Sequence, residues 1–237
     1  MSKPIKYSRI VLKLSGEALR GGGTDIYNYD IVDDICTAVK DCAKLGTQIC
    51  IVVGAGNIWR GKQGGGMERN RADHMGMLAT TINALMLADT LERLGAPAVV
   101  MSEIEMNTFA TQYNRAKAVE LLESGKIVVI ACGTGCPFFS TDTAAVLKGA
   151  ELAADAILMA KNIDGVYTAD PKIDPTATRY DKISYTDVLA KGLAATDLTA
   201  AALGQDTDQT LYLFALSDPQ NIIRVVQGEH IGTLVTK

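Results

Sequence analysis

Short apolar runs alternate with helical stretches along the whole chain, and this alternation constrains the fold more than any other feature. The runs are rich in Val, Ile and Leu, which is typical of strands buried on both faces of a parallel sheet. The stretches between them carry the periodicity of helices, and the last helix is predicted to begin at an Asp218 N-cap. The predicted strands are 9–14, 48–53, 98–101, 126–131, 156–160 and 211–215, and the predicted helices are 29–45, 73–94, 115–123, 142–154 and 219–227.

Repeated strand–helix units predict an α/β fold, a three-layer sandwich in which helices cover both faces of a mostly parallel central sheet. With 237 residues, no linker and no internal repeat, the chain is expected to form a single domain, 1–237. Residues 164–185 break the alternation and are rich in Asp, Pro and Thr. They predict a long loop or hairpin over one end of the sheet, and loops of that length are usually functional.

The composition argues against several classes of function. The 23 basic and 27 acidic residues give a net charge of −4, which does not suit a nucleic-acid-binding protein. Two histidines are too few for His-built zinc sites, and five cysteines without a CxxC pair indicate buried free thiols in a reducing compartment. No apolar run reaches the ~18 residues that span a bilayer. Lys13 interrupts the first run, so no signal peptide is expected, and the predicted location is cytoplasmic.

Glycine-containing turns follow four of the predicted strands, and ligands bind beyond the carboxyl ends of parallel strands. The first turn combines Lys13 with Gly16. Its lysine either neutralises charge on a transferred phosphoryl group or extends from the strand end into solvent. The second turn, at 54–61, offers backbone N–H groups and the Arg60 guanidinium, which suits bidentate phosphate binding. A plain flexible connector is the alternative for this segment.

Carboxylates lie next to two predicted helix starts. Asp73 begins the long helix, where it is either an N-cap or an acceptor for two ribose hydroxyls. The turn at 133–142 supplies glycines, hydroxyls and a helix N-terminus that can bind an anion. Its Asp142 either caps the helix or orients a cationic group. Further along, Tyr167 can pack on an adenine, and Asp170 either binds the ribose or forms a turn.

Four motifs, in this order and spacing, resemble those of one enzyme family. Through them nearly the whole chain is similar to the bacterial-type uridylate (UMP) kinases of the amino-acid kinase family. The resemblance implies the carbamate kinase-like fold of that family, with an acceptor lobe at about 1–150 and an ATP lobe at about 151–237. The motifs are KLSGEAL from Lys13, DHMGMLAT from Asp73, GTGCPFFSTDTAA from Gly133 and DGVYTADP from Asp164.

The resemblance also implies a reaction, its partners and its regulation. ATP would phosphorylate UMP to give UDP and ADP, a step of pyrimidine nucleotide biosynthesis. Mg²⁺ would be held by the nucleotide phosphates, without a metal site built by the protein. The implied assembly is a homohexamer that GTP activates and UTP inhibits, with no nucleic acid or membrane as partner.

Positions within the motifs imply the roles of single residues. Catalysis falls to Lys13, Arg60, Asp142 and Asp197, with Asp197 orienting Lys13 and Asp142 supporting the acceptor pocket or the water shell of the metal. The residues implied to bind ATP are Lys13, Leu14, Ser15, Gly16, Gly56, Arg60, Asn162, Tyr167 and Asp170. Those implied to bind UMP are Ala55, Asp73 (on the ribose), Thr134, Gly135, Cys136, Pro137, Phe138, Phe139, Ser140 and Thr141.

Three positions depart from the pattern of that family. Ala55 stands where the family has glycine, and its methyl group can crowd the UMP phosphate. Cys136 replaces an asparagine, so a weak thiol donor takes the place of an amide. The segment around Lys161 and Asn162 is one residue short, which leaves open which of the two faces ATP. These departures keep a second hypothesis open, a nucleotide- or oxoanion-binding storage or regulatory protein on the same fold.

Overall fold

The computed structural model describes residues 4–59, 66–193 and 196–237, which form nine strands and eight helices. The strands are β1 (Arg9–Leu14), β2 (Gln48–Val53), β3 (Ala98–Ser102), β4 (Thr111–Gln112), β5 (Ile127–Ala131), β6 (Ala156–Lys161), β7 (Lys182–Ser184), β8 (Leu211–Ala215) and β9 (Thr233–Thr236). The helices are α1 (Gly16–Arg20), α2 (Tyr29–Lys44), α3 (Arg69–Arg93), α4 (Arg115–Glu123), α5 (Thr141–Glu151), α6 (Tyr185–Ala190), α7 (Leu198–Asp206) and α8 (Gln220–Val226).

All nine strands belong to one sheet, in the order β4-β3-β5-β2-β1-β6-β8-β9-β7. Every neighbouring pair is parallel except β8 and β9, which run antiparallel. The first strand lies in the middle, between β2 and β6, so the chain builds outward from it in both directions. Such a reversal of strand order opens a crevice at the carboxyl ends of the strands, which here is the end of Leu14.

Two separate hydrophobic cores cover the two faces of this sheet, which confirms the three-layer α/β prediction. The side chains of β1 alternate between the cores. Ile10, Leu12 and Leu14 pack in the first core with residues of α2, α3 and α8. Val11 packs in the second core, among residues of α4, α5, α6 and α7. By the same period of two, Lys13 lies on the second face, at the end of an otherwise apolar strand.

The strand predictions hold to within one residue at each end of the six runs. The long helix begins at Arg69, four residues before the predicted start, because the Glu68 side chain caps it by accepting a hydrogen bond from the backbone N–H of Asn70. The last helix begins one residue later than predicted, after Pro219, which makes no capping hydrogen bond. The predicted capping contact is present, because the Asp218 side chain accepts a hydrogen bond from the N–H of Gln220.

The elements that sequence reasoning missed are short or rich in alanine: β4, β7, β9, α1, α6 and α7. The segment at 164–185, predicted as a long loop or hairpin, contains an antiparallel bridge between Tyr167 and Arg179 and ends in β7 and the first residue of α6. Within the described ranges, no helix combines the length and apolarity that a bilayer crossing requires.

Candidate functional site

A buried charge cluster lies at the carboxyl end of the central strands. Lys13 Nζ is 2.8 Å from Asp142 Oδ1, and Lys161 Nζ is 2.8 Å from Asp142 Oδ2. The Thr196 hydroxyl donates to the same Oδ2 over 3.1 Å. Lys13 is only 7% exposed and Asp142 only 9%. Two cations therefore share one carboxylate, and the cluster carries a net charge of +1.

Local sequence explains why these side chains meet. Lys13 is the next-to-last residue of β1 and Lys161 the last residue of the neighbouring parallel strand β6, and both lie on the face that carries α5. The Ser140 hydroxyl caps α5 by accepting from the N–H groups of Asp142 and Thr143, so Asp142 falls in the first helical turn and faces the lysines. The positive end of the helix dipole adds to the charge of the cluster. An anion placed beside it would be attracted from several directions.

Asp142 remains ionised in spite of its burial. Burial opposes its ionisation, but attraction and hydrogen bonds from Lys13 and Lys161 outweigh that effect and hold the pKa of this carboxyl well below its usual range. Both of its oxygens are engaged, so it has no role as a proton acceptor near neutral pH. Of the two alternatives for Asp142, its contacts match the one in which it orients cationic groups.

The resemblance implied that Asp197 orients Lys13, but the observed contacts of Asp197 lie elsewhere. Its carboxylate caps α7 by accepting from the N–H of Ala200 over 2.9 Å. It also accepts from the hydroxyls of Thr143, at 3.1 and 3.2 Å, and of Ser140. The carboxylate that holds Lys13 is Asp142. Asp197 instead joins the starts of two helices, α5 and α7, next to the cluster.

The first two turns touch each other backbone to backbone. A Cβ placed on Gly16 would lie 2.7 Å from the Gly56 nitrogen and 2.8 Å from the Gly54 oxygen, so no larger residue fits there. Ser15 caps the short α1 by accepting from the Ala18 N–H over 3.1 Å. The close approach leaves the turn after β1 lying directly beside the turn after β2.

A pair of buried amides holds the second turn in place. Asn83 of α3 donates to the Gly54 carbonyl over 2.7 Å and to Asn57 Oδ1 over 2.8 Å. Asn57 also donates to the carbonyl of Ile26. Sequence reasoning missed this pair, although a polar Asn83 inside an apolar helix face was a signal that could have found it.

A small cleft opens between α3 and the turn at 133–141. Its volume is about 130 Å³. It is bordered by parts of four segments: the turn after β2, the start of α3, the end of β5 and the turn that leads into α5. Its lining residues are Ala55, Ala72, Asp73, Gly76, Met77, Thr80, Cys132, Gly133, Thr134, Cys136, Phe139 and Thr141.

Six of the residues implied to bind UMP thus line one cleft, and Gly135, Pro137, Phe138 and Ser140 belong to the same turn. Both residues that depart from the family pattern, Ala55 and Cys136, are among the six. Met77, Thr80 and Cys132 lie in or next to quoted motifs but were not singled out. The Thr80 hydroxyl accepts from the Cys132 N–H over 2.9 Å and so fixes the end of β5 against α3.

Asp73 is not an N-cap, because it lies one turn inside α3. Its Oδ1 and Oδ2 accept from Arg69 Nε over 2.9 and 2.8 Å, and Oδ2 also accepts from the Phe138 N–H over 2.8 Å. The carboxylate therefore ties the helix to the turn at the mouth of the cleft.

The remaining residues that were predicted to bind ATP lie outside this cleft. Asn162 lines a larger cavity of about 640 Å³, together with Gly21, Gly22, Gly23 and Ser217, whereas Lys161 belongs to the charge cluster. The Tyr167 hydroxyl donates to Asp164 over 2.8 Å, and Asp170 accepts from the Lys172 N–H over 2.9 Å, as in a turn. Arg60 lies outside the described residues.

The accessible thiol lies at the mouth of the cleft. Cys136 is exposed and the other four cysteines are buried. Burial raises the pKa of the Cys36, Cys42 and Cys50 thiols to about 12. We therefore expect a thiol reagent at pH 8 to modify one cysteine promptly in the native protein and all five after unfolding in denaturant. Cys136→Ser should abolish the prompt phase, and a prompt phase that survives this substitution would contradict the assignment.

Comparison with known proteins agrees with the fold. The chain belongs to the amino acid kinase family, whose family model matches residues 8–213. Among solved structures it is similar to UMP kinase from Bacillus anthracis, with 37% identity, a TM-score of 0.94, and coverage of 97% of this chain and 96% of that chain. UMP kinase from Ureaplasma parvum matches with 35% identity, a TM-score of 0.92, and coverage of 98% and 100%. Uridylate kinase from Archaeoglobus fulgidus matches with 26% identity, a TM-score of 0.75, and coverage of 96% and 99%.

Proposed function

We propose that this chain is a UMP kinase that transfers the γ-phosphoryl group of ATP to UMP and yields UDP and ADP. The observation that carries the proposal is the lysine pair shared by Asp142, which lies next to a cleft lined by residues of the UMP-kinase motifs. Similarity to two UMP kinases over almost the full length of the chain supports the same reaction.

The cluster suits phosphoryl transfer because that reaction needs positioning and charge neutralisation more than covalent chemistry. Lys13 and Lys161 face the place where charge develops on the transferred group, and Asp142 holds both ammonium groups in fixed positions before the substrate arrives. The acceptor is a phosphate oxygen that is already ionised at neutral pH. No general base is required, which agrees with an Asp142 whose oxygens are both engaged.

We assign the triphosphate of ATP to the turn at Lys13–Gly16, with Gly56 and Arg60 near the transferred group. The nucleoside of ATP is assigned to the lobe after residue 150, where Asn162, Tyr167 and Asp170 follow β6. UMP is assigned to the cleft of about 130 Å³, with Asp73 on its ribose and the turn at 133–141 around its base and phosphate.

Mg²⁺ is expected to reach the site on the substrates. Over the described ranges, no three His, Cys, Asp or Glu side chains come together as a metal site. Asp142 is already occupied by two lysines and a threonine, and Asp197 by hydroxyls and a helix N–H. This donor set fits an ion that is carried by phosphate oxygens and water, where it supplies further charge neutralisation.

The outer face of α3 supports the proposal of a homo-oligomer. Met75, Leu78, Ile82 and Leu85 follow one another at helical spacing and are 38–54% exposed. We propose that this stripe contacts a second copy of the chain within a homohexamer that responds to GTP and UTP. The five free thiols suit a reducing, cytoplasmic location.

An acceptor survey tests the proposed reaction. ADP release in the presence of ATP and Mg²⁺ is measured with UMP, CMP, carbamate and acetylglutamate, and we expect kcat/KM for UMP to exceed the others by at least about 100-fold. Polar groups that read a base account for discrimination of this size. Equal turnover of all acceptors would reject a UMP kinase. Tight ATP binding without turnover of any acceptor would favour the storage or regulatory protein instead.

A further inference from the structure

We infer that Arg69 is a positioning residue for UMP, because it aims the Asp73 carboxylate at the ribose. This inference rests on the proposed function. The inference comes from the contacts of the Arg69 guanidinium, which reaches both walls of the acceptor cleft at its mouth. These walls are the first turn of α3 and the turn at 133–141.

On the helix wall, Arg69 Nε lies within hydrogen-bond distance of both oxygens of Asp73, at 2.9 and 2.8 Å. On the turn wall, the Arg69 guanidinium lies 5.5 Å from the ring centroid of Phe138, a cation–π contact. The Phe138 N–H completes the ring of contacts by donating to Asp73 Oδ2 over 2.8 Å. Arginine, aromatic ring and carboxylate therefore form one unit.

The backbone of Phe138 supports this interpretation. Its φ of +73° is rare for a residue with a side chain and costs about 1–2 kcal/mol. The strained conformation aims the Phe138 N–H at Asp73, and the charge-assisted hydrogen bond offsets that cost.

The contacts of the Asp73 carboxylate show which of its acceptor positions are already used. A carboxylate offers about four acceptor positions. The single Nε–H of Arg69 is shared between Oδ1 and Oδ2, and the Phe138 N–H takes a further position on Oδ2. Oδ1 is therefore the less engaged oxygen, and we assign it to a ribose hydroxyl. Without Arg69 only the Phe138 N–H holds the Asp73 carboxylate, and the cation that fixes its orientation is lost.

Substrates that lack one hydroxyl test the inference. Arg69→Met and the control Arg71→Met, an exposed arginine of the same helical turn, are compared by kinetics and calorimetry with UMP, 2′-deoxyUMP and 3′-deoxyUMP. The wild type should discriminate against at least one deoxy analogue by about 10-fold, as expected for a hydrogen bond to a charged acceptor. In Arg69→Met this discrimination should fall to about 3-fold or less, with KM for UMP raised about 10-fold and kcat within about 3-fold.

Arg69→Lys keeps a cation beside Asp73 and should restore part of the discrimination, whereas Arg71→Met should leave it unchanged. If Arg69→Met weakens UMP and both analogues equally, or changes none of them, Arg69 does not aim the carboxylate and the inference is wrong. A failure of the proposed reaction is distinguishable. In that case the wild type turns over no UMP, while calorimetry still reports whether Arg69 controls hydroxyl discrimination in binding.

Discussion

Lys13→Ala is expected to lower kcat for UDP formation at least about 100-fold, with a smaller effect on KM for UMP. The side chain is buried, lies one residue before the end of the central strand and pairs with Asp142 at 2.8 Å. Its ammonium group would neutralise charge that develops only as the phosphoryl group moves, so its loss should raise the barrier more than it weakens substrate binding. Initial rates of ADP release at saturating ATP and UMP measure the effect.

Lys126→Ala is the matched control for this substitution. That lysine is exposed and precedes β5, so it lies at the opposite, amino end of the strands. Its removal should leave kcat unchanged. Because Asp142 retains Lys161 as a partner in Lys13→Ala, the variant should also remain folded. Near-normal turnover of Lys13→Ala would show that the lysine only fills the end of a strand.

Lys148→Met is expected to destabilise the fold by about 3 kcal/mol, the largest stability effect that we expect from a single charge removal. Lys148 is 1% exposed, and its Nζ pairs with Glu103 and, at 2.6 Å, with Glu151. The same Nζ lies 3.6 Å from the centroid of the Tyr113 ring. Without the lysine, two carboxylates would share a largely apolar site with no cation between them.

Urea unfolding measures this loss, with Lys117→Met as the comparison. Lys117 pairs with Glu120 at 2.8 Å, but both side chains are exposed, at 47% and 67%. A pair of that kind contributes about 0–1 kcal/mol. Equal unfolding midpoints for the two variants would mean that the burial of Lys148 carries no energetic consequence.

Glu103 also touches the cleft turn, since a Cβ on Gly135 would lie 3.0 Å from Glu103 Cβ.

The strands of this fold could be predicted because each is a short apolar run buried on both faces, a pattern that depends only on local sequence. That the turns after these strands lie close together was also predictable from the sequence. Parallel strands bring their carboxyl ends, and therefore the turns that follow them, to the same edge of the sheet. The short strands β7, at the edge of the sheet, and β9, beside it, carry little of this signal. Their pairing is fixed by contacts with residues far away in the chain, such as Ile183 with Val235.

The charges at the site could be found from the sequence, but not their pairing. Lys13 and Lys161 have the same signature, a lysine that ends an apolar strand, yet only the register of β1 and β6 shows that both reach Asp142. The resemblance assigned the orientation of Lys13 to Asp197, whereas the carboxylate that contacts Lys13 is Asp142, in the first turn of α5. Which one caps and which one pairs depends on the position of Ser140, which takes the capping role at α5.

Cocrystallisation with UMP and a non-hydrolysable ATP analogue gives the most direct test that one cation cluster serves two facing phosphate groups. The proposed reaction predicts a γ-phosphate oxygen within about 3.5 Å of Lys13 Nζ, with Arg60 reaching the same anion and the UMP ribose against Asp73. A triphosphate seated in the cavity lined by Gly21, Gly22 and Gly23, with Lys13 still paired only to Asp142, would contradict it.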